Sequence, residues 1–490
     1  MQRAKEIDFR KVISLTLFCI LFLVTRIPEL ATDSVNPDAV NWHYRSQQFM
    51  VGLKTRQFEK TFQHYHPGVT LMWVAGTGIE VVKQVTGMDT YTHLNFTLFH
   101  FAAKFMLVFA QIFLSILLIY WLSRSFNNFY KSLFIIALFT FEPFFVGNSR
   151  MFHMDVLFTL LIFGALITAF NKNYLLSAIL TSFTFLTRSI GLGVFLYVLG
   201  MAVLKKESPK KMFLYIFTFL LTTFVFFPAL WVKPVDTISE IFSEGERVGV
   251  RKGHSQIFFG EYTRDPGVVF YPIVTALKTS PFLWVGLVAY LTYLLRPSKD
   301  RKLKSGFILY LGLFYIGYFL VMTWPSKKLD RYMLTLWPLL ATLAVVGFWK
   351  IFNKKNVWLL AFLYVPFVIY PLIKNFPYYF TYTSIPANMA NNIVGQKPFG
   401  VGIFELREYI LDNYGQVKLG FIDTKPMKAI YPNSRVFDMR VDGTSNYDLV
   451  ILAINEEFPE DVLKSGVQFT KDGMVSINGL NYWTIYVKEN

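Results

Sequence analysis

Long apolar runs, separated by short polar segments, recur through the first 373 residues of the chain. A run of about 20 apolar residues crosses a bilayer as a helix, whereas shorter runs indicate broken or partly buried helices. The pattern therefore predicts a polytopic α-helical membrane protein with about 11 transmembrane helices, several of them irregular. The predicted spans are 11–27, 97–122, 131–147, 154–170, 173–187, 189–204, 212–230, 281–295, 306–323, 332–349 and 356–373.

The first apolar run, VISLTLFCILFLVT at 12–25, follows a basic N-terminal segment and has the layout of a secretory signal. The residues after it, PELATDS, contain no convincing small-x-small cleavage site, so we interpret the run as an uncleaved first span. The single cysteine, Cys19, lies inside it. The chain therefore forms no intrachain disulfide, and we do not expect thiol catalysis or thiol metal sites.

The composition agrees with a membrane protein, because 54% of the residues are hydrophobic and the mean hydropathy is +0.40. The formal net charge of +16 is concentrated in short segments between alternate spans, as the positive-inside rule describes for cytoplasmic loops. We interpret this charge as a topology signal. No basic patch is interleaved with aromatic residues, so nucleic-acid binding is not expected.

The segments on the opposite side are much longer: a first outer loop at 28–96, a second at 231–280 and a tail at 374–490. The tail alternates helix-like and strand-like stretches, among them FELREYILDNYG, VKLGFIDT and YDLVILAIN, which predicts a small α/β domain. We therefore expect a transmembrane domain at 1–373 and an extracytoplasmic domain at 374–490. The N-terminus is expected in the cytoplasm, with the protein in the cytoplasmic membrane.

Two motifs of the first outer loop carry candidate chemistry. The stretch NPDAVNWHYRSQQF predicts an amphipathic helix along the membrane interface, with helical spacing of Asp38, Trp42, Arg45, Ser46 and Phe49. Further on, QHYHPGVTLMW places His64 and His66 before a Pro-Gly turn. A transporter rarely needs so elaborate a first loop.

Charged residues also mark the ends of later spans. Arg150, His153 and Asp155 lie within six positions in NSRMFHMDVLF, where the chain enters or leaves lipid. Exposing Arg150 or Asp155 to hydrocarbon costs about 2.5–3.5 kcal/mol, so we expect both to face a cavity, although they could instead form a structural ion pair. Lys327, Lys328 and Arg331 follow at another outer end, where basic residues run against the positive-inside trend.

Simpler roles are open for several of these residues. Asp38 could cap its helix, His66 could be a solvated turn residue, and Lys327 and Lys328 could snorkel at a span end. His64 and His153 are expected to be structural or exposed, because no carboxylate stands at metal-ligand spacing from either. Asp265, before Pro-Gly in EYTRDPG, is expected in a turn.

The order of the motifs resembles that of the GT-C membrane glycosyltransferases, and among them the branch with protein O-mannosyltransferases and the lipid A aminoarabinose transferase. The matching pieces are PDAVNWHYRS, YHPGVTLMW, NSRMFHMDVLF and KKLDRYMLTLWP. The likeness runs through residues 10 to 350, and GHSQIFFGEYTRDPGVVFYP is similar to the long extracytoplasmic loop of bacterial members.

The resemblance implies transfer of a hexose or pentose from a polyprenyl-phosphate carrier to an acceptor at the outer membrane face, with inversion at the anomeric carbon. It implies Asp38 as general base and Asp155 as a second active-site acid that orients the acceptor or Asp38, or assists a metal. It implies phosphate contacts from His66, Arg150, Lys327, Lys328 and Arg331, and substrate contacts from Trp42, Arg45, His254 and Tyr262.

The implied partners are the lipid-linked sugar donor, the bilayer, and a glycan, lipid or protein acceptor. No cofactor or metal site is indicated, although a divalent metal is compatible with the resemblance. One departure concerns the base, because family members commonly have Asp-Glu where this chain has Asp38 followed by Ala39. Asp33 is the other carboxylate near that position.

Two other classes of protein compete with a transferase. A transporter or flippase of lipid-linked sugars would use the same charges along a translocation path, but such proteins tend to have pseudo-symmetric halves and charges near the bilayer midplane. The missing second acid is compatible with a non-catalytic scaffold derived from a transferase. The charges of this chain cluster at one face, where a large domain also lies, which favours the transferase.

The topology is testable with a C-terminal reporter that is active only in the cytoplasm. Because the basic segments and the long loops alternate at every crossing, the reporter should be silent when fused after residue 490 and active when fused in the segment 205–211. Strong activity of the reporter fused after residue 490 would show that the orientation is the opposite of the predicted one.

Overall fold

A computed structural model of the protein describes residues 8–249, 256–296, 305–352 and 358–489. Helices make up most of its first three quarters. They are α1 (Phe9–Val24), α2 (Pro37–Lys54), α3 (Val69–Thr86), α4 (Phe96–Phe126), α5 (Phe129–Thr140), α6 (Pro143–Arg150), α7 (Asp155–Phe170), α8 (Tyr174–Thr187), α9 (Leu192–Leu204), α10 (Pro209–Phe226), α11 (Ala229–Val232), α12 (Pro234–Gly249), α13 (Phe270–Lys278), α14 (Pro281–Leu295), α15 (Ser305–Thr323), α16 (Trp337–Ile351), α17 (Trp358–Tyr364) and α18 (Tyr370–Lys374).

Each predicted span coincides with a helix or with a pair of helices in the described residues. Within those residues, four helices are long and apolar enough to cross a membrane, or up to six if each bent pair counts as one span, and four further apolar helices are shorter. The expectation of broken helices is confirmed: α5 and α6 meet at 71°, and α13 and α14 at 113°. Pro143 and Pro281 begin the second helix of each pair, where the missing N–H costs no hydrogen bond.

The core centres on α7, whose residues are buried from Asp155 to Ala169. Its sequence, DVLFTLLIFGALITAF, is apolar all round after the first residue, which suits a helix surrounded by protein. It packs against α4 and α8. The carboxylate of Asp155, the first residue of α7, is therefore positioned by an almost fully buried helix.

The predicted helix of the first outer loop is confirmed as α2. Asn36 caps it, with its side-chain Oδ1 accepting a hydrogen bond from the Ala39 N–H at 2.7 Å. Asp38 is therefore not the cap. Helix α3 follows through Gly68, whose φ is +61° and where a Cβ would lie 2.3 Å from the ring of Trp42. Only glycine fits this turn, so Trp42 fixes where the chain enters α3.

A buried charge network holds α1, α4 and α6 together. Arg150 Nε donates to Asp33 Oδ2 at 2.7 Å, and Lys104 pairs with the other oxygen of Asp33. The guanidinium of Arg150 also donates to the carbonyls of Thr25, Arg26 and Pro28 after α1. All three charged side chains are almost fully buried. Their mutual pairing is what makes this burial tolerable.

The expected α/β region contains a five-stranded sheet with the order β4-β3-β5-β7-β6. Strand β3 is parallel to β4 and β5, and β7 is antiparallel to β5 and β6. A two-stranded hairpin, β1-β2, lies in the second outer loop. The strands are β1 (Gln256–Phe258), β2 (Glu261–Thr263), β3 (Leu419–Phe421), β4 (Val436–Asp438), β5 (Leu449–Ala453), β6 (Phe469–Ile477) and β7 (Leu480–Lys488).

Short helices complete this region and connect it to α18. The α-helices are α19 (Ala387–Ile393), α20 (Ile403–Tyr414), α21 (Lys425–Ile430) and α22 (Glu460–Lys464). The 3₁₀ helices of the whole described chain are Phe58–Thr61, Ser189–Gly191, Asp330–Leu336, Tyr379–Thr381, Asn433–Arg435 and Thr444–Asn446, and Val365–Ile369 is a π-helix between α17 and α18.

The sheet region is docked on the turn that precedes α2. Val35 N donates to Gly400 O at 3.3 Å, and Ser34 pairs with Val401 in an antiparallel bridge. Gly400 has φ of +66°, and a Cβ there would lie 1.9 Å from Val35 O. Trp483 of β7 donates to the Val401 carbonyl at 2.8 Å. The C-terminal region therefore meets the start of the helix that carries Asp38.

Replacing Asp33 tests the buried network. Asp33→Asn leaves Lys104 and Arg150 buried without a carboxylate, and removing one partner of a buried pair costs about 3–5 kcal/mol. The thermal unfolding temperature in detergent should fall by many degrees, whereas Asp89→Asn, at an exposed carboxylate of the same loop, should not change it. Equal unfolding temperatures would contradict a structural role for the network.

Candidate active site

A cavity of about 490 Å³ lies between α2, the loop before α3, the segment before α7 and the C-terminal region. Its volume is within the range of roughly 300–1,000 Å³ that is usual for small-molecule sites. Most of its titratable lining is basic or imidazole. These side chains are Arg45, His64, His66, His153, Arg188, Lys327, Arg331 and Lys397, and the lining carboxylates are Asp38, Asp423 and Glu456.

Asp38 presents a carboxylate to this cavity from the first turn of α2, with 43% of its side chain exposed. Its Oδ2 lies 2.9 Å from Arg331 Nη2 and 3.5 Å from His153 Nε2. Burial opposes ionisation, but His153 and Arg331 outweigh it and hold the pKa of Asp38 well below its usual range. Oδ1 has no hydrogen-bond partner among the described residues and remains accessible to a ligand.

Asp155 is buried behind the cavity, between two guanidinium groups and an imidazole. Its Oδ1 lies 2.5 Å from Arg188 Nη1, and its Oδ2 lies 2.8 Å from His153 Nδ1 and 3.0 Å from Arg331 Nε. Asp155 does not line the cavity. From this position Asp155 orients His153, Arg188 and Arg331, which line the cavity.

His153 and His64 both line the cavity, although the sequence favoured structural or exposed roles for them. The ring of His153 lies between the two carboxylates, Asp38 and Asp155. His64 accepts a hydrogen bond from the His66 N–H at 3.2 Å. Burial, with Arg45 nearby, lowers the pKa of His64 to about 4, and burial next to Arg188 lowers the pKa of His66 well below its usual value. Both imidazoles are therefore neutral at neutral pH.

Aromatic side chains support the guanidinium groups of the cavity. Arg45 lies over Trp42 at 4.6 Å from the ring centre, and Arg188 lies over Tyr332 at 4.8 Å. Arg331 lies over Phe399 of the C-terminal region at 4.6 Å. These contacts orient positive charge without neutralising it.

The C-terminal region supplies an acidic part of the lining. Asp423 follows β3, and Asn455 and Glu456 follow β5, so all three lie at the carboxyl ends of adjacent parallel strands. Ligands of open α/β sheets commonly bind at that edge. Burial raises the pKa of Glu456 and of Asp423, and Oδ1 of Asn455 is buried without a hydrogen-bond partner among the described residues.

The structure brings six of the residues implied by the resemblance to the cavity lining, and Asp155 lies directly behind it. The six are Asp38, Trp42, Arg45, His66, Lys327 and Arg331.

Arg150 and Lys328 do not reach the cavity lining. Arg150 is taken up by Asp33 in the buried network and forms no ion pair with Asp155. Lys328 Nζ lies 3.0 Å from Asp265 Oδ1 and donates to the Pro325 carbonyl at 2.7 Å. Both side chains are almost fully buried, so their charge is used within the protein.

Three further expectations concern the second outer loop and Asp33. Tyr262 is 51% exposed on β2 and does not line the cavity, and His254 lies outside the described residues. The turn expected at Asp265 is confirmed, because its carboxylate accepts the Gly267 N–H at 3.0 Å. Asp33 is occupied by Lys104 and Arg150, so it does not replace the missing acid next to Asp38.

Sequence reasoning missed Arg188 and Lys397. Arg188 stands at the outer end of a predicted span in LTRSIG, so the argument applied to Lys327 would also have found it. Lys397 lies in an ordinary loop sequence, QKPFG, and carries no local signal. Among the residues that the structure describes, no group of three or more His, Cys, Asp or Glu side chains could hold a metal ion.

No family model and no curated protein matches the sequence. Among solved structures, the chain is similar to ArnT from Cupriavidus metallidurans bound to undecaprenyl phosphate, with a TM-score of 0.55 and 12% identity over 96% of this chain and 97% of that chain. The chain has the GT-C fold of ArnT. The apo state of ArnT gives a TM-score of 0.54 and 11% identity over the same shares of the two chains.

This fold likeness covers both parts of the molecule. Because 96% of the chain is matched, the GT-C fold accounts for the C-terminal sheet region as well as for the membrane helices. The chain is thus a multi-pass membrane protein with a small C-terminal α/β region. At this level of identity the likeness concerns the fold.

The two site carboxylates should differ in their effect on stability. Asp155→Asn leaves Arg188 and Arg331 short of a buried counter-charge and should cost about 3–5 kcal/mol. Asp38→Asn removes a half-exposed carboxylate and should cost about 1 kcal/mol or less. Thermal unfolding of both variants in the same detergent measures the difference. Equal losses would contradict the assignment of Asp155 to positioning.

Proposed function

We propose that the protein is an inverting membrane glycosyltransferase. It moves a hexose or pentose from a polyprenyl-phosphate carrier to an acceptor at the outer face of the cytoplasmic membrane. The fold supports this proposal, because ArnT, which the chain resembles along 96% of its length, was crystallised bound to undecaprenyl phosphate.

One observation carries the proposal: a carboxylate with a free oxygen faces the same cavity as a cluster of cations. Asp38 supplies the carboxylate, and Arg45, Lys327 and Arg188 are among the cations. An acceptor hydroxyl needs a base, and a lipid phosphate leaves more readily when positive charge meets it. The cavity offers both within about 490 Å³.

The proposed reaction uses the carboxylate as the base and the cations as the binding groups for the phosphate. The acceptor hydroxyl donates its proton to Asp38 as its oxygen bonds to the anomeric carbon. The bond between that carbon and the phosphate oxygen breaks on the opposite face of the sugar, and the lipid phosphate takes the electron pair. Lys327 and the guanidinium groups stabilise the charge that develops on the phosphate.

Arg331 and His153 hold the pKa of Asp38 low. Asp38 is therefore ionised at neutral pH, but it is a weaker base than an ordinary carboxylate. Proton transfer to such a weak base becomes favourable only as the new bond forms, when the acceptor oxygen itself becomes acidic. Asp155 acts behind this pair by orienting Arg331, Arg188 and His153.

The predicted topology agrees with this location. Asp38 and His66 come from the first outer loop, and His153, Arg188 and Lys327 come from three further connections; the positive-inside pattern assigns all four connections to the outer side. They meet at one cavity, together with the C-terminal region that the same pattern places outside. The proposed donor would therefore approach from the outer leaflet.

Asp38→Asn tests the role of the base. The variant keeps the shape of the side chain but loses its basicity, so single-turnover transfer from a labelled polyprenyl-phosphate sugar should slow by about 10²–10⁴. Binding of the donor lipid should persist, because its phosphate is held by the cations. Transfer and binding are measured on the same purified protein in detergent.

Asp89→Asn is the matched control, since Asp89 is an exposed carboxylate of the same outer loop. Transfer by Asp38→Asn within a few-fold of wild type would remove Asp38 from the mechanism. A transporter or a scaffold would show donor binding without any transfer by the wild-type protein, and that result would refute the transferase.

A further inference from the structure

Lys397 is a cavity lysine that the mechanism above does not use. It lies between α19 and α20, in the segment that docks on the turn before α2. Its side chain is partly buried, and it has no hydrogen bond or ion pair among the described residues. An ammonium without a partner in the protein is available to an anion that enters the cavity, and cations of this kind concentrate at functional sites.

The charges around Lys397 do not neutralise it. Burial lowers the pKa of Lys397 to about 8, Asp330 opposes this shift, and Arg331 and Lys327 add to it. The carboxylate of Asp330 already accepts the Arg331 N–H at 2.8 Å. Arg331 is paired with Asp38 and Asp155, so Lys397 and Lys327 are the cations of this group that have no carboxylate partner among the described residues.

The backbone around Lys397 is fixed on both sides. The preceding residue, Gln396, accepts a hydrogen bond from Lys278 at 3.1 Å. Phe399 lies against the guanidinium of Arg331 at 4.6 Å, and Gly400 is in contact with Val35. These contacts hold the segment of Lys397 at the cavity lining, which reduces the entropy lost when the residue binds a ligand.

We propose that Lys397 binds the phosphate of the carrier lipid, so that the C-terminal region completes the donor site together with Lys327 and Arg331. The proposal rests on the proposed function, since it takes the anion to be the donor phosphate. An ammonium–phosphate contact is charge-assisted and stronger than a neutral hydrogen bond. The C-terminal region is then part of the binding site for the donor.

Binding of undecaprenyl phosphate to the full-length protein in detergent tests the proposal. Lys397→Met keeps the length of the side chain and removes the charge, so affinity should fall by about 10–100-fold. Lys397→Arg should bind nearly as tightly as wild type. Lys418→Met, at an exposed lysine of the same region, should have no effect. Undecaprenol, which has no phosphate, should bind all four proteins equally.

The pH dependence separates a phosphate contact from a packing role. With a pKa of about 8 in the empty cavity, Lys397 loses its proton as the pH rises from 7 to 10, so the affinity of wild type for undecaprenyl phosphate should fall across that range. Lys397→Arg stays charged and should show a flatter profile. Asp330, Arg331 and Lys327 face both side chains alike, so the difference between the two profiles isolates residue 397.

The outcomes are distinct. Wild-type affinity in Lys397→Met, or an equal loss for undecaprenol, would refute the phosphate contact and leave the proposed function intact. Parallel pH profiles for wild type and Lys397→Arg would refute it even if Lys397→Met failed to fold. A wild-type protein that binds undecaprenyl phosphate no better than undecaprenol would refute the proposed function and this inference with it. Inorganic phosphate that competes as well as the lipid would overturn the assignment to the carrier.

Discussion

The site depends on one guanidinium that two carboxylates share. Arg331 lies 2.9 Å from Asp38 on the first-loop helix and 3.0 Å from Asp155 at the start of the central helix. Because each charge is partly or fully buried, separating the three would leave an uncompensated charge in the protein. This sharing places the exposed oxygen of Asp38 relative to Arg188 and His153, so the loop helix and the central helix contribute to one site.

The sequence predicts the helices well and the site only in part. Apolar runs are visible in the local sequence, so each predicted span from 11–27 to 356–373 coincides with a helix or with consecutive helices in the described residues. The ion-pair partner of a charged side chain at the end of a span, in contrast, can lie far away in the sequence. Arg150 and Arg188 both stand at outer ends of spans, yet Arg150 pairs with Asp33, 117 residues away, whereas Arg188 pairs with Asp155 and lines the cavity. Local spacing contains no signal for that choice.

The two charge networks show how the same residue types serve different purposes. Around Asp33, two cations and several backbone carbonyls satisfy one another, and little polar capacity is left over. Around the cavity, positive charge exceeds negative charge on one side, and Asp423 and Glu456 stand on the other. The first network contributes to stability because its charges are used within the protein, whereas the cavity retains cations and an oxygen of Asp38 that a ligand can engage. Charged groups that lack a partner in the protein are a better criterion for a site than the number of charged residues.

The close approach of Gly400 to Val35 has a consequence for how such proteins diversify. With room for no side chain at Gly400, the C-terminal region and the turn before α2 must change together. Exchanging the C-terminal region alone would place a foreign segment against Val35. A poor fit at that contact would disturb the helix that carries Asp38. Productive chimeras should therefore exchange residues 33–36 along with the region that follows α18, because a change in one segment requires a matching change in the other although the two lie far apart along the chain.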